Sequence, residues 1–510
     1  MKYTRSSGIL LHPTSFPGPD GIGDFGPQAY AWIDFLKNSG CTIWQTLPLG
    51  PTGYGDSPYQ CFSAFAGNPY LISPTLLLDE GLLNAEDFAD RPEFPLREID
   101  FGLAIPWKLK ILGRAFKNFT SEGNSEYQSF CDENKSWLDD YALFMAIKNA
   151  KGGAAWQSWE EPLKNHEEAA LQAFAAEHRE EIDFQKFMQF CFFRQWTRLM
   201  HYAHENKIMI VGDIPIFVSM DSADIWSHPE LFYLDEGRNP SVVAGVPPDY
   251  FSPTGQLWGN PIYRWPAHEA QQFSWWVDRI RATLKLCDVI RLDHFRGFCG
   301  YWEIPAGNPT AEIGRWVRCP GDAFLTRVKE VIGDLPIIAE DLGEISKDVY
   351  DLRMKFGLPG MKILQFGFSD DAAHAFLPSN YETNYAAYTG THDNETITGW
   401  FENADEKSRI FAMKYLATPP QDFAHNAIRA VWQSVAVYAI APLQDFLGLG
   451  NEARMNFPGK LSGNWGYRYV SSDLTPELAF RILDLNRVYN RIPEISSKPP
   501  YFVKIEYQEP

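Results

Sequence analysis

The sequence predicts an α/β fold, a (β/α)8 TIM barrel with a mostly helical inserted subdomain and long active-site loops, and three observations carry that prediction. Eight short apolar, β-branched runs occur, at residues 8–11, 42–47, 208–213, 288–293, 336–340, 362–366, 387–391 and 437–443, and eight is the number a closed parallel barrel requires. Amphipathic helical stretches separate the later runs, which is the pattern of β/α alternation. No glycine-rich phosphate loop follows the first run, where the rival doubly wound open sheet usually carries one.

Taken in order, the first two runs lead into a gap far too long for a loop. Its middle has helical patterns at Trp107 to Phe119 and Trp137 to Lys148. It predicts a mostly helical insertion over approximately residues 75–200, between barrel strands 2 and 3. After the third run, residues 235–263 are dense in Pro, Gly and aromatic residues, and this irregular stretch is expected to form an active-site loop region, because loops at that end of a barrel carry function. Val277, Ile280, Leu284 and Cys287 then fall at helical spacing and lead into Val289–Asp293; Phe324, Val328 and Ile332 end at Gly333 and lead into Pro336–Glu340. Each Gly or Pro break sits where a helix should stop. Length alone would suggest several domains, yet residues 1–510 read as a single elaborated catalytic barrel.

A formal net charge of -20 argues against nucleic acid and against anionic membranes, which are bound through an excess of Lys and Arg. The 17 Trp and 23 Tyr suit a sugar ligand, whose C–H faces lie well against aromatic rings with a polar handle, although such rings also fill cores. Seven cysteines without a C-x-x-C pair read as reduced thiols in the cytoplasm. The apolar stretch Ile9–Leu11 is too short for a signal-peptide core, and Val435–Leu443 is about half of what a transmembrane helix requires. With no H-E-x-x-H, no calcium loop and no G-x-S-x-G elbow, we expect no cofactor, no metal and no serine nucleophile. The expected assembly is a monomer or weak homo-oligomer.

On the barrel reading, the carboxyl ends of strands converge on one opening, and the sequence places Asp213, Asp293, Glu340 and Asp393 there. Clustered carboxylates raise one another's pKa, so one can stay protonated as a general acid while another stays ionised as a nucleophile, the division that glycosidic bond cleavage requires. Arg291 precedes Asp293 by two and shares its face on a strand, where it can hold the carboxylate ionised; Asp213 can buttress the same arginine. The alternative is an ion network that only ties strands together. Asp341 and Asp322 also stand near element ends, where acids often cap helices. His294 and His392 adjoin Asp293 and Asp393 and can donate to sugar hydroxyls.

Three strings then carry a resemblance: Arg291-Leu292-Asp293-His294-Phe295-Arg296-Gly297-Phe298, Ala339-Glu340-Asp341-Leu342-Gly343 and Gly390-Thr391-His392-Asp393-Asn394-Glu395-Thr396. With Gly8 to Ser15, Ser57-Pro58-Tyr59-Gln60, Phe65 to Tyr70, Gly212 to Ile216, Gly245 to Phe251 and Gln256 to Pro261, they resemble the 4-α-glucanotransferase family (amylomaltase or disproportionating enzyme), a relative of the α-amylases. The matches are ordered and span nearly the whole chain. The resemblance implies transfer of a segment of an α-1,4-glucan (maltooligosaccharide, starch or glycogen) to a glucose or glucan acceptor, through a covalent glucosyl-enzyme. It casts Asp293 as nucleophile, Glu340 as acid/base and Asp393 as transition-state stabiliser. Asp213, Arg291, His294 and His392 would grip the donor sugar, while Asp56, Ser57, Tyr59, Asp249, Phe251, Gln256, Trp258 and Asn464 would contact the glucan. The segment from Asp249 to Trp258 would lie over the site, with Asn464 on a second loop near Arg454 to Gly459, and the apolar cover from Pro247 to Trp258 is expected to exclude water until an acceptor docks. One departure is visible: the family's usual Asn-Trp-x-Trp-Arg stands here as Asn464-Trp465-Gly466-Tyr467-Arg468, which keeps a ring and bears on chain-length preference. Plain hydrolysis and silent glycan binding are the other readings of the same acids.

Overall fold

The computed structural model describes residues 3–248, 252–343, 345–369, 371–460 and 462–492. Its centre is a sheet of eight parallel strands: Ser6–Leu10 (β1), Ile43–Gln45 (β2), Met209–Ile214 (β3), Val289–Leu292 (β4), Ile337–Ala339 (β5), Gly360–Ile363 (β6), Tyr385–Tyr388 (β7) and Tyr438–Pro442 (β8). They are ordered β6-β7-β8-β1-β2-β3-β4-β5, the wound sequence of the predicted TIM barrel. The two ends of that sheet meet between β5 and β6, where the Ala339 amide donates to the Pro359 carbonyl at 2.8 Å and the Met361 amide donates to Asp341 Oδ1 at 2.7 Å. Each predicted run coincides with a strand to within about two residues at its start.

The strands are buried along their length save for the partly exposed Met209 and Lys362, as a parallel sheet covered by helices must be. Side-chain size matters where β1 and β2 touch: a Cβ on Gly8 would stand 2.3 Å from the Ile43 carbonyl oxygen, so only glycine lets the strands approach.

Between β2 and β3 the chain forms the helices Phe101–Asn118, Ser125–Glu133, Lys135–Ala150 and Arg179–Glu205, with shorter ones among them. Asp100 caps the first by accepting from the Leu103 amide. Phe116, Phe119, Phe187 and Phe190 interlock these helices, with Phe119 and Phe187 centroids 4.8 Å apart. The longest helix reaches back to the barrel. Buried Gln189 bonds both the amide and carbonyl of Gly67, and Gln195 does the same at Ser73, which fixes the loop that carries Tyr59.

Residues 235–263 are less irregular than their composition suggests. Val242–Val246 and Gln256–Pro261 pair antiparallel, and Gly300–Pro305 and Arg315–Arg318 extend them to a four-stranded sheet on the rim. Pro and Gly stand both at its turns and, as Gly245, Gly259 and Pro261, within the strands, which hid their alternation. Among the described residues no helix is long and apolar enough to cross a membrane.

Asp341 is not a helix cap. It clamps the closing seam, taking the Met361 amide on one side and standing 3.0 Å from Arg353 Nε on the other, with both side chains almost wholly enclosed. Asp322, in contrast, lies in the first turn of Gly321–Ile332, where its charge complements the helix dipole. Replacing Asp341 by Ala leaves a buried guanidinium uncompensated, and we expect a loss of about 3 kcal/mol, read from the midpoint and slope of urea unfolding. A change below about 0.5 kcal/mol, the range of an ordinary surface substitution, would show that the seam does not depend on this clamp.

Candidate active site

The site is organised by one guanidinium. Arg291 and Asp293 lie two residues apart at the end of β4 and face the same way, and β3 sets Asp213 directly beside Arg291 in register. Arg291 Nη1 donates to Asp213 Oδ1 at 2.9 Å and Oδ2 at 2.7 Å, and stands 2.8 Å from Asp293 Oδ1. The Asp213 side chain is 0% exposed and Arg291 5%, whereas Asp293 keeps 28%. Burial works against the cation, and the carboxylates of Asp213 and Asp293 overcome that, so Arg291 is held charged more firmly than a free arginine. Burial likewise pushes the Asp213 carboxyl up, and Arg291 pulls it back. The Tyr59 hydroxyl donates to Asp213 Oδ2 at 2.8 Å.

Glu340 follows β5, beside the end of β4. Its Oε2 accepts from the His294 amide at 2.7 Å and its Oε1 from the Leu342 amide at 3.0 Å. The amide of the residue immediately after Asp293 therefore binds Glu340, so the two carboxyl groups share one corner of the barrel mouth. His294 reaches this position in the left-handed region, φ 47°, a conformation that costs a non-glycine residue about 1–3 kcal/mol and must be held by its surroundings. Burial pushes the Glu340 carboxyl up to about 8; Arg291 opposes this, Asp293 adds to it, and the two amides oppose it. Glu340 is thus the proton holder of the group.

Asp393, past β7, has the opposite environment. The walls around it would raise its carboxyl, but His392, with Nε2 3.3 Å from Oδ1, and the Asn456 amide, donating to the same oxygen at 2.7 Å, outweigh them and keep it below the usual carboxylate range. Arg454 Nη2 donates to the Asp393 carbonyl at 2.6 Å, fixing the backbone as well. The two arms are joined by rings: His392 stacks on Tyr59 at 5.0 Å and 13°, and Trp465 leans on both.

The His294 ring is half-buried, and its desolvation pushes it down to about 4 and keeps it neutral near pH 7. The partly exposed Trp258 indole meets it edge to face at 4.8 Å and donates its Nε1–H to Gln256 Oε1 at 3.2 Å. Ser57 Oγ accepts from the Tyr59 amide at 3.2 Å, so it shapes the Tyr59 turn. Asp56 and Asn464 line a neighbouring wide cleft with Arg97 and Arg454. The Asn464 amide is engaged with its own loop, accepting from the Phe457 amide and donating to the Lys460 carbonyl, both at 2.9 Å. Asp249 and Phe251 lie outside the described residues.

Of the residues singled out from the sequence, the fold brings Asp213, Arg291, Asp293, Tyr59, His294, Glu340, His392 and Asp393 together. Asn456, Arg454 and Trp465 join them unforeseen as individual contacts. Their segment was legible as a loop, but nothing in its composition says that it folds onto Asp393. Among the described residues no group of three or more His, Cys, Asp and Glu side chains is arranged to hold a metal ion. The arrangement provides one carboxylate paired with a guanidinium, one carboxyl that keeps its proton near neutrality and a third held ionised, around a cleft with aromatic walls.

A family model described as 4-alpha-glucanotransferase matches residues 11–473. The chain is 48% identical to the 4-alpha-glucanotransferase of Thermus thermophilus over 96% of its own length and 100% of that protein. It is 46% identical to that of Clostridium butyricum, covering 94% and 100%. The solved amylomaltase of Streptococcus agalactiae, in complex with acarbose, superposes with a TM-score of 0.93 at 41% identity, covering 96% of this chain and 99% of that one.

The ion network sets a stability expectation of its own. Arg291→Met leaves two carboxylates facing each other without their cation, and we expect a cost of about 3–5 kcal/mol in thermal or denaturant unfolding at neutral pH. Combining it with Asp213→Asn should recover part of that loss; additive losses would mean that the guanidinium does not compensate Asp213.

Proposed function

Because the chain belongs to the 4-alpha-glucanotransferase family, we propose that Asp293, Glu340 and Asp393 carry out a retaining transfer in the group that Arg291 organises. The protein is an enzyme that moves a segment of an α-1,4-glucan onto a glucose or glucan acceptor. In the first step an Asp293 oxygen attacks the anomeric carbon as the glycosidic C–O bond breaks. Glu340 gives its proton to the departing oxygen, so the leaving glucan departs with a free 4-hydroxyl. The product is a glucosyl ester of Asp293. In the second step Glu340, now a carboxylate, takes the proton of an acceptor 4-hydroxyl as that oxygen attacks the same carbon, and the ester bond breaks. Both partners regain their starting protonation. Two inversions give net retention.

The observation that carries this reading is the contrast between two carboxyl groups at neighbouring strand ends: Arg291 holds the Asp293 carboxylate at 2.8 Å, while burial keeps the Glu340 proton on up to about pH 8. Asp393, held ionised by His392 and Asn456, supplies negative charge for the oxocarbenium-like transition state. Asp213, Arg291, His294 and His392 bind the donor sugar. Tyr59, Ser57, Asp56, Asn464, Trp258 and Gln256 contact the glucan along the cleft, and the family resemblance gives the same part to Asp249 and Phe251, outside the described residues. Trp258 and the rest of the cover exclude water, so a sugar hydroxyl, which gains contacts that water lacks, reaches the ester first. The donors are maltooligosaccharides or the outer chains of starch or glycogen. The setting is cytoplasmic, consistent with seven free cysteines, and the working form is a monomer or weak homo-oligomer that needs neither nucleic acid nor a membrane.

Incubation with maltotriose tests the reaction. Transfer yields glucose and longer oligomers at a constant count of reducing ends; a rising count would make the protein a hydrolase, and no change a binder. Asp293→Asn and Glu340→Gln should each lower turnover by several orders of magnitude with an unchanged fold, and near-normal turnover in either would contradict its role. The pH profile supplies an independent check. Glu340 must enter the first step protonated, so kcat/KM should fall as pH rises through about 8. A profile flat to well above that value would remove Glu340 as the acid.

A further inference from the structure

Trp316 stands apart from the other tryptophans. Of 17 in the chain, it is the one among the strongly exposed large side chains, at 44%. It belongs to Arg315–Arg318, the edge strand of the rim sheet, and lies opposite Trp302 in the ladder. An isolated exposed apolar residue usually needs no explanation, but this ring is held in place from two sides. The Arg296 guanidinium lies over it at 4.0 Å, and the Trp302 ring meets it at 5.4 Å and 64°. Trp302 is itself fixed by donating its indole N–H to the Ala311 carbonyl at 2.9 Å. Arg296 comes from the turn Phe295–Phe298, three residues after Asp293 and two after the amide that binds Glu340. The indole is therefore oriented by the same turn that builds the catalytic corner, with a cation over the ring and 44% of the residue exposed. Ile313, 71% exposed, stands just before this strand.

We infer that Trp316 is a stacking platform for an α-1,4-glucan segment beyond the sugars held at the catalytic carboxylates, with Arg296 as the residue that positions its ring. The inference rests on the function proposed above. A pyranose offers a flat C–H face, and an indole with one face already packed presents the other at little further entropic cost. The cation beneath the ring keeps its plane from turning away. The platform serves long chains, because short substrates end within the catalytic cleft, and so it sets a preference for chain length.

The test compares a long linear α-1,4-glucan with maltotriose as donor, using the full-length protein. In Trp316→Ala the ratio of kcat/KM for the long chain to kcat/KM for maltotriose should fall about fivefold, the size of one aromatic contact. The loss should appear in KM rather than kcat, and Trp316→Phe, which keeps a ring, should restore most of it. An unchanged ratio in Trp316→Ala, or an equal loss on both donors, would overturn the platform while leaving the catalytic assignment intact. Wild-type protein that does not disproportionate maltotriose at all would instead overturn the reading on which the inference rests.

Discussion

The chemistry of this barrel depends on placing several carboxylates together, and the arrangement holds because a single guanidinium stands among them. Arg291 touches Asp213 and Asp293 through one nitrogen. Removing charges from water costs several kcal/mol each, so such a group persists only when geometry and further hydrogen bonds compensate. Register supplies the geometry: β3 and β4 set Asp213 opposite Arg291, and the two-residue period of β4 puts Asp293 on the same side. Tyr59 supplies a further bond to Asp213, and the loop that carries Tyr59 is in turn fastened by two glutamines of the long helix between β2 and β3. The inserted helices thus act on the chemistry at a distance, through the orientation of one phenol.

From this fixed point the three remaining carboxyl groups diverge through their neighbours. Glu340 accepts from two backbone amides and stands between the opposing charges of Arg291 and Asp293, and burial prevails. Asp393 meets an imidazole and a side-chain amide, and these prevail over desolvation. Asp293 stays accessible, as a group that must reach a substrate carbon needs to be. The same residue type performs different tasks because each strand end presents a different set of donors, which is how one scaffold holds an acid and an ionised group within one cleft.

The eight strands were legible because a buried parallel strand needs a short apolar run and little else intrudes on that signal. The errors fall where it weakens. β6 opens on Gly360 after Pro359, residues that read as a break, so the apolar run starts two residues late, at Lys362, whose ammonium lies over the rings of Phe376 and Tyr385. The rim sheet was read as irregular because turn residues dominate its composition. In the site, Arg291 and Asp293 could be paired by spacing alone, since their relation is local. Tyr59 with Asp213, separated by 154 residues, and Asn456 with Asp393, separated by 63, could not, because only the closed barrel brings them together. Tyr59 was reachable through family resemblance, and Asn456 through neither route.

The rim sheet adds a final step, because it is fastened unevenly. The strand Gln256–Pro261 is exposed where it begins and buried where it ends, and the buried Asn260 side chain donates to the Val218 carbonyl at 2.9 Å. Its opening turn meets the next loop, where the Ala311 amide donates to the Thr254 carbonyl at 3.1 Å. Val243, Ile304 and Ala311, with Trp302 packed against them, form a small cluster of their own among the described residues, separate from the main core. The Asn260 bond thus anchors the strand that sets Trp258 against His294, above carboxylates whose own partners lie in the barrel. On the proposed mechanism that anchorage is what a transferase needs: the glucosyl ester must survive one exchange of sugars, and the wall beside it must hold its place throughout.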